Sequence, residues 1–310
     1  MHLLTKALAG AIVASGLIAS GPAAHATRII FVTHGQASDP FWSVVKRGVD
    51  DAAERMEVEV DYRAPLTFDM VQMAQMIDAA VAAQPDGLVV SIPDAAALGP
   101  SIKNAVAAGI PVISMDSGAE VSKQLGALLH LGIDEYESGL AAGERMKAAG
   151  LSHGACVNPE VGNVALDLRC EGFAKGLGAA QVIATPMDPT EIRNGVAAYL
   201  KQHSEIDAVL TVSSFAFDSA LAGIQEAGLD DKVKIGSFDL TPTLLKAIDE
   251  GRAEFAIDAQ QYLTGYLPVV FLTLYHDLGM IPASNVWTGP LFVTEETAAQ
   301  VIDLSAKGYR

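Results

Sequence analysis

Basic residues, aromatic residues and cysteines are all scarce in this sequence of 310 residues. Lys and Arg together number 20, against 37 Asp and Glu, and the formal net charge is −17. A surface this acidic repels nucleic-acid phosphates and anionic lipid headgroups, which argues against a nucleic-acid or membrane-surface partner. No group of Cys and His residues has the spacing of metal ligands, so we expect no metal ion and no cofactor.

The two cysteines, Cys156 and Cys170, leave two interpretations open. In an oxidising compartment they could form a disulfide that closes a short loop. Two buried thiols are the equally weighted alternative, because free cysteine is commonly buried. Spacing alone does not place two Cα atoms within bridging distance.

Long hydrophobic runs are also few, and the first lies at the N-terminus. It follows Lys6 and leads to Ala24-His25-Ala26, a small-x-small pattern typical of signal-peptidase cleavage. We therefore expect residues 1–26 to be a signal peptide, cleaved after Ala26, and the mature protein to be periplasmic.

A second hydrophobic run extends from Gln261 to Met280. Pro268, His276 and Asp277 interrupt it, which favours a buried helix over a membrane span. The remaining length exceeds what one hydrophobic core usually organises, so two domains are expected.

Predicted strands and helices alternate along the chain. The strands cover 28–33, 58–62, 87–91 and 111–115 in the first half, and 155–158, 182–184 and 207–212 in the second. The helices between them include 95–108 and 135–149. This order predicts an α/β fold with parallel sheets covered on both faces.

A weak internal repeat supports two related halves. The segment 86–91 leads through a helix to Asp116, and the segment 207–213 leads through a helix to Asp239. Each unit is a strand, a polar residue, a helix, a second strand and an aspartate. Such units resemble each other often by chance, so the repeat is supporting evidence only.

Polar and aromatic residues follow the predicted strands, at the edge of the sheet where open parallel sheets bind ligands. In the first half they are His34, Gln36, Ser38, Asp39, Phe41, Trp42, Ser91, Asp116 and Ser117, and in the second half Asn158, Glu160, Asn163, Ser213, Ser214, Phe238 and Asp239. Their recurrence in both halves predicts one ligand cleft.

These residue types suit a polyhydroxylated ligand. A carboxylate such as Asp116 or Asp239 accepts two hydroxyl hydrogen bonds, and an arginine such as Arg169 donates several. Phe41 and Trp42 offer flat apolar faces to a sugar ring, with Phe41 the better candidate.

Three of these residues have competing structural roles. Trp42 also begins the core face of its predicted helix, and Asp39 precedes Pro40 as an N-cap would. Arg169 could instead pair with Asp167 or Glu171 on its own helix.

Four segments together resemble the type I periplasmic solute-binding proteins, the ribose-binding group of ABC importers. They are Asp39-Pro-Phe-Trp42, the stretch 86–116 with Gly109-Ile-Pro-Val-Ile, the stretch 163–173 with Arg169-Cys-Glu-Gly-Phe, and Ile235-Gly-Ser-Phe-Asp239. The resemblance runs from Arg28 to the end of the chain. It departs from the family at Ser117, where an arginine often stands, and at Ala259, where the hinge glutamine falls.

The resemblance implies two Rossmann-like lobes joined by a three-strand hinge near 131–134, 257–260 and 286–289. The first lobe would contain 27–132 plus 261–287, and the second 133–260 plus 288–310. The family's ligand contacts map onto Asp39, Phe41, Trp42, Ser91, Asp116, Arg169, Ser213, Phe238 and Asp239. With their neighbours Ser117, Asn158 and Gln260, these form the predicted site.

The function expected from this resemblance is capture of a small sugar or polyol for an ABC permease in the inner membrane, by a monomer that is not an enzyme. One alternative is a receptor that signals to a sensor kinase or chemoreceptor. A second is a secreted glycosidase using Asp116 and Asp239, which is disfavoured because the two aspartates would lie on different lobes. A transcriptional regulator is disfavoured by the N-terminal segment, which stands where a DNA-binding headpiece would be.

Overall fold

The computed structural model describes residues 26–35 and 39–310. The predicted signal peptide, apart from Ala26, and the loop residues Gln36 and Ser38 therefore lie outside the described residues. Within the described part of the chain, no helix is long and apolar enough to cross a membrane. The run from Gln261 to Leu278 is a helix with buried residues along one side, as its composition predicted.

Twelve strands are found among these residues. They are β1 (Arg28–Val32), β2 (Glu59–Arg63), β3 (Gly87–Val90), β4 (Val112–Met115), β5 (His130–Gly132), β6 (Gly154–Asn158), β7 (Ala180–Ala184), β8 (Ala208–Thr211), β9 (Lys234–Phe238), β10 (Phe255–Asp258), β11 (Val286–Trp287) and β12 (Leu291–Val293). The central strands β1, β3, β4 and β8 are mostly apolar and, apart from the half-buried Arg28, buried, as expected for strands covered on both faces.

Eleven α-helices connect or follow these strands in the described residues. They are α1 (Pro40–Met56), α2 (Met70–Ala82), α3 (Ala95–Ala107), α4 (Ala119–Ser122), α5 (Glu135–Ala148), α6 (Val164–Leu177), α7 (Pro189–Gln202), α8 (Ser214–Glu226), α9 (Pro242–Asp249), α10 (Gln261–Leu278) and α11 (Glu295–Ala306). An aspartate or asparagine side chain caps the N-terminus of six of the longer ones: α1, α2, α3, α5, α6 and α7.

Two six-stranded sheets organise the molecule. The first has the order β11-β5-β4-β3-β1-β2 with all pairs parallel, and the second β12-β10-β9-β8-β6-β7 with one antiparallel pair at β12. The α/β fold class predicted from the sequence is confirmed. The two halves share one topology, apart from the direction of the last edge strand.

The chain passes between the sheets three times, and the three passages meet at Thr288. Its hydroxyl lies 2.6 Å from the carbonyl oxygen of Ala259 and 3.2 Å from that of Gly132. Its backbone N–H also donates to Gly132, at 2.8 Å. One threonine therefore ties together the β5–α5, β10–α10 and β11–β12 connections.

The two cysteines form a disulfide, with Cα atoms 5.6 Å apart. Cys156 lies in β6 and Cys170 in α6, so the bond fixes this helix on the sheet of the second half. The alternative of two buried thiols is therefore wrong.

Candidate functional site

A narrow cleft lies between the carboxyl ends of the two sheets. Its lining residues come from both halves of the chain: His34, Asp39, Phe41, Trp42, Asp116, Glu160, Leu166, Arg169, Met187, Ser213 and Asp239. Seven of the twelve predicted site residues are among them. The predicted convergence of Asp116 and Asp239 on one cleft is therefore what the structure has.

Asp116 and Asp239 occupy equivalent positions in the two halves. Asp116 follows β4 directly and Asp239 follows β9, and both adopt a left-handed backbone, with φ of 60° and 64°. Aspartate tolerates this conformation better than most residues. The sharp turn at the strand end directs each carboxylate into the cleft, where both are at most 8% exposed.

Asp39 caps a helix and also lines the cleft, so its position allows both roles that the sequence left open. Its Oδ1 accepts a hydrogen bond from the backbone N–H of Phe41 at 3.0 Å, which caps α1, and its side chain lines the cleft. Burial raises the pKa of this carboxyl to about 8, and the negative charges of Asp239, Glu160 and Asp116 act in the same direction.

Arg169 is held by a buried acid that the sequence analysis did not find. Its Nε donates to Glu135 at 2.6 Å, and its Nη1 donates to the carbonyl of Val212 at 2.8 Å. The same Nη1 lies 3.9 Å from Asp239, and the guanidinium lies over the ring of Phe238 at 4.4 Å. The alternative pairing of Arg169 with Asp167 or Glu171 is wrong, because the side chain points into the molecule.

Asp239 is a buried carboxylate with unused hydrogen-bonding capacity. Burial raises its pKa to about 7, and the nearby Arg169 guanidinium opposes part of that rise. Its Oδ1 and the hydroxyl of Ser213 are both buried without a hydrogen-bond partner. Buried polar atoms of this kind are costly unless something pairs with them, so they are candidates for ligand contact.

The aromatic residues of the first loop form one wall. Phe41 and Trp42 meet edge to face with ring centroids 5.0 Å apart, and Trp42 meets the His34 ring at 4.9 Å. Both Phe41 and Trp42 are buried and line the cleft. Trp42 also belongs to the hydrophobic core, so it lies in the core and at the cleft at once.

The two halves touch across the cleft, chiefly through Asn163. This residue caps α6 in the second half, and its amide lies 3.2 Å from Nε2 of His34 in the first. Its Oδ1 also accepts a hydrogen bond from Ser117 at 3.2 Å. The backbone N–H of Val164 donates to the carbonyl of Pro93 at 3.0 Å. These contacts hold the two halves in a closed arrangement.

Five predicted site residues do not line the cleft, and their polar or aromatic groups contact neighbouring residues instead. Ser91 contacts His34, Ser117 donates to Asp116, and Phe238 underlies Arg169. Asn158 donates to Asp167 at 2.8 Å and accepts from the N–H of Glu160. Gln260 lies at the hinge, where its amide donates to the carbonyl of Thr288.

Other functional candidates were not among the predicted site residues. His34 and Glu160 follow strands, and that position was their only signal. Leu166 and Met187 line the cleft with apolar side chains, which nothing in their sequence context indicated. Glu135 begins α5 and is fully buried against Arg169, although it reads as an ordinary first-turn acid.

Comparison with known proteins gives a consistent result. The profile of a family described as "Periplasmic binding protein domain" matches residues 29–276. The structure superposes with a TM-score of 0.88 on a carbohydrate transporter from Acidothermus cellulolyticus crystallised with myo-inositol. That protein is 35% identical, and the match covers 92% of this chain and 100% of that one.

Two characterised relatives extend this similarity. The xylose/arabinose-binding protein of Sulfolobus acidocaldarius is 24% identical over 86% of this chain and 71% of its own length. The ribose import binding protein of Escherichia coli is 28% identical over 69% of this chain and 73% of its own length. Both are named for a sugar that they bind or import.

Proposed function

Because this chain belongs to the periplasmic binding protein family, we propose that it captures a small sugar or polyol between its two lobes and delivers it to an ABC permease. The structural neighbour that is 35% identical was crystallised with myo-inositol, and two relatives are named for pentoses. A six-carbon polyol or a pentose is the size class that these relatives support.

The observation that carries this proposal is the paired geometry of Asp116 and Asp239. One carboxylate from each half faces the same cleft, beside Arg169 and two aromatic rings. A polyhydroxylated ring would donate hydroxyl hydrogen bonds to both acids, and so would contact both halves at once.

Closure follows from that double contact. A ligand that touches both lobes binds the closed state more tightly than the open one, and it therefore shifts the population toward closure. The Asn163 contacts with His34 and Ser117 would then re-form across the closed cleft. The closed surface is what a permease in the inner membrane would recognise.

The finer features of this function are proposals as well. The lobes would comprise 27–132 plus 261–287 and 133–260 plus 288–310, which is supported by the strands that each of the two sheets contains.

A monomer acting in the periplasm, after removal of residues 1–26, is proposed from the small-x-small sequence at Ala24 to Ala26. We propose a binding protein without enzymatic activity, because the relatives are sugar-binding transport proteins.

The proposal is tested by a thermal-shift screen of pentoses, hexoses and inositols, followed by titration calorimetry. A true ligand at 100 times its dissociation constant should add about 2.7 kcal/mol of stability. The Asp116→Asn variant keeps a residue that tolerates the left-handed backbone but loses the charge, and should bind that ligand more weakly by about 1.5–3 kcal/mol. Binding at wild-type affinity would remove Asp116 from the site.

Transport is tested separately from binding. Cells that lack this protein should lose uptake of the labelled ligand. Normal uptake together with loss of a transcriptional response would instead support the receptor alternative, and slow conversion of the bound sugar would support an enzyme.

A further inference from the structure

The charge balance of the cleft carries an inference about the chemical class of the ligand, which rests on the proposed function. Four carboxylates line the cleft: Asp39, Asp116, Glu160 and Asp239. The basic side chains that line it are Arg169 and His34. A neutral sugar would be enclosed by a surplus of negative charge.

Arg169 offsets little of this excess of acidic groups, because its guanidinium is already paired with acids of the protein in the absence of a ligand. Its closest acidic partner is Glu135, at 2.6 Å, which lies behind the cleft. Asp239 is the second, at 3.9 Å. With Glu135 included, five carboxyl groups surround this one guanidinium and the imidazole of His34. Burial raises the pKa of Asp39 and Glu135 to about 8, so without a cationic ligand part of this acidic excess is held as bound protons.

Asp39 has acidic neighbours and no basic one among the charged groups that affect its carboxyl. The charged groups that affect its carboxyl are Asp239, Glu160 and Asp116, and each of them raises its pKa. Its hydrogen bond from the N–H of Phe41 comes from a neutral donor. His34, the nearest basic ring of the same loop, is placed toward Asp116 and Glu160 instead, at 3.8 and 3.9 Å.

An independent observation points to ligand contact at this place. Oδ1 of Asp239 and the hydroxyl of Ser213 are buried, line the cleft and have no partner. A carboxylate oxygen can only accept a hydrogen bond, so the missing group is a donor. Ligand hydroxyl groups satisfy this requirement at Asp239 and Ser213, but they bring no cation that could replace the proton held by the Asp39 carboxyl.

We propose that the ligand is a small polyol or sugar that carries one protonated amino group, such as an aminocyclitol or an amino sugar. The ammonium group lies against Asp39, and the hydroxyl groups reach Asp239, Ser213 and Arg169. An ammonium supplies three donors and one positive charge, which the described residues do not supply at Asp39. The ring packs against the aromatic wall formed by Phe41 and Trp42.

The test compares ligands that differ only in the amino group. Titration calorimetry at pH 7 and low ionic strength is run with scyllo-inosamine against scyllo-inositol, and with D-glucosamine against D-glucose and N-acetyl-D-glucosamine. In at least one set the amine should bind about tenfold or more tightly than its neutral counterparts, since charged hydrogen bonds are roughly twice as strong as neutral ones. The preference should fall as salt is added.

Two variants locate the ammonium. Asp39→Asn keeps an N-cap of equal quality and removes the carboxyl, so the affinity ratio of amine to neutral ligand should fall toward one while the melting temperature does not fall. Asp69→Asn is the matched control, because Asp69 caps α2 in the same way on an exposed surface. It should leave the ratio unchanged.

The outcomes separate this inference from the proposed function. If neutral polyols bind as tightly as the amines, or if Asp39→Asn leaves the amine preference intact, the inference is wrong and the proposed function stands. If no sugar, polyol or amine binds, the proposed function itself fails.

Discussion

Arg169 illustrates how much a single side chain depends on residues far away in the sequence. Strand-end positions identified Asp116 and Asp239 as cleft residues, because the end of a parallel strand fixes where the next residue lies. The partner of Arg169 was not predictable, since Glu135 is 34 residues away on another helix. Contacts between helices depend on packing, which periodicity alone does not specify.

The buried pair makes a sharp stability prediction. Replacing Arg169 with methionine leaves Glu135 and Asp239 buried without their cation, and should lower the free energy of unfolding by about 3–5 kcal/mol. Urea unfolding measures this change. Arg193→Met is the control, because Arg193 pairs with Glu226 at 3.7 Å on the surface and should change stability by less than about 1 kcal/mol. Equal effects of the two substitutions would contradict the buried role of Arg169.

Pairs of helices in each half pack through glycines. In the second half, a Cβ atom at Gly172 would lie 2.1 Å from the carbonyl oxygen of Tyr136, and one at Gly139 would lie 2.1 Å from that of Arg169. In the first half, Gly48 and Gly265 play the same role between α1 and α10. The backbone contact between α5 and α6 is what brings Glu135 within reach of Arg169.

Gly172→Ala therefore tests whether the close packing of α6 against α5 positions Arg169 in the cleft. The added methyl must push α6 away from α5, which should cost about 1–3 kcal/mol of stability and weaken ligand binding through Arg169. Thermal unfolding and calorimetry measure the two effects. Gly195→Ala in α7 is the matched control, because its Cβ would meet only Thr185 at 3.4 Å, and it should not destabilise the protein. Unchanged ligand affinity in Gly172→Ala would show that the site tolerates movement of α6.

Elements of the central sheets were predicted from the sequence more completely than those near the end of the chain. The predicted bounds of β1 to β4 and β6 to β8 differ from the observed ones by one or two residues. Most of these strands are short apolar runs followed by polar residues, whereas the edge strands β2 and β7 also contain polar residues. Helices α9 and α11 and strand β12 were not predicted. They pack on the outside of the second half, where apolar and polar residues are mixed.

For the whole molecule, the predicted family and α/β fold class are confirmed. The internal repeat of strand, helix and aspartate corresponds to two halves with the same topology. The amount of charge buried between the halves was not predictable, since it depends on how closely they approach. That buried charge has a consequence for stability as a function of pH.

Asp39 and Asp239 have folded-state pKa values of about 8 and about 7, against 3.8 as the reference value for aspartate. The folded state therefore binds more protons than the unfolded state between these limits, and stability is lost as the pH rises from about 4 to about 8. Each group contributes a slope of up to about 1.4 kcal/mol per pH unit.

Urea unfolding of the ligand-free protein across this range measures the effect. The profile of Asp39→Asn should be flatter than that of the wild type, and Asp94→Asn, which alters the N-cap of α3, should keep the wild-type slope. Parallel profiles for wild type and Asp39→Asn would contradict the raised pKa.

The three passages of the chain through the hinge also determine when the molecule can become complete during synthesis. The first sheet lacks its edge strand β11, and α1 lacks its partner α10, until residues beyond 260 have emerged. The second sheet in turn waits for β12, and α9 waits for α11. At residue 250, therefore, each half still lacks an edge strand and a helix that packs on it. The final sixth of the polypeptide therefore supplies the last strand or helix to both halves, so neither half is complete before translation is nearly over.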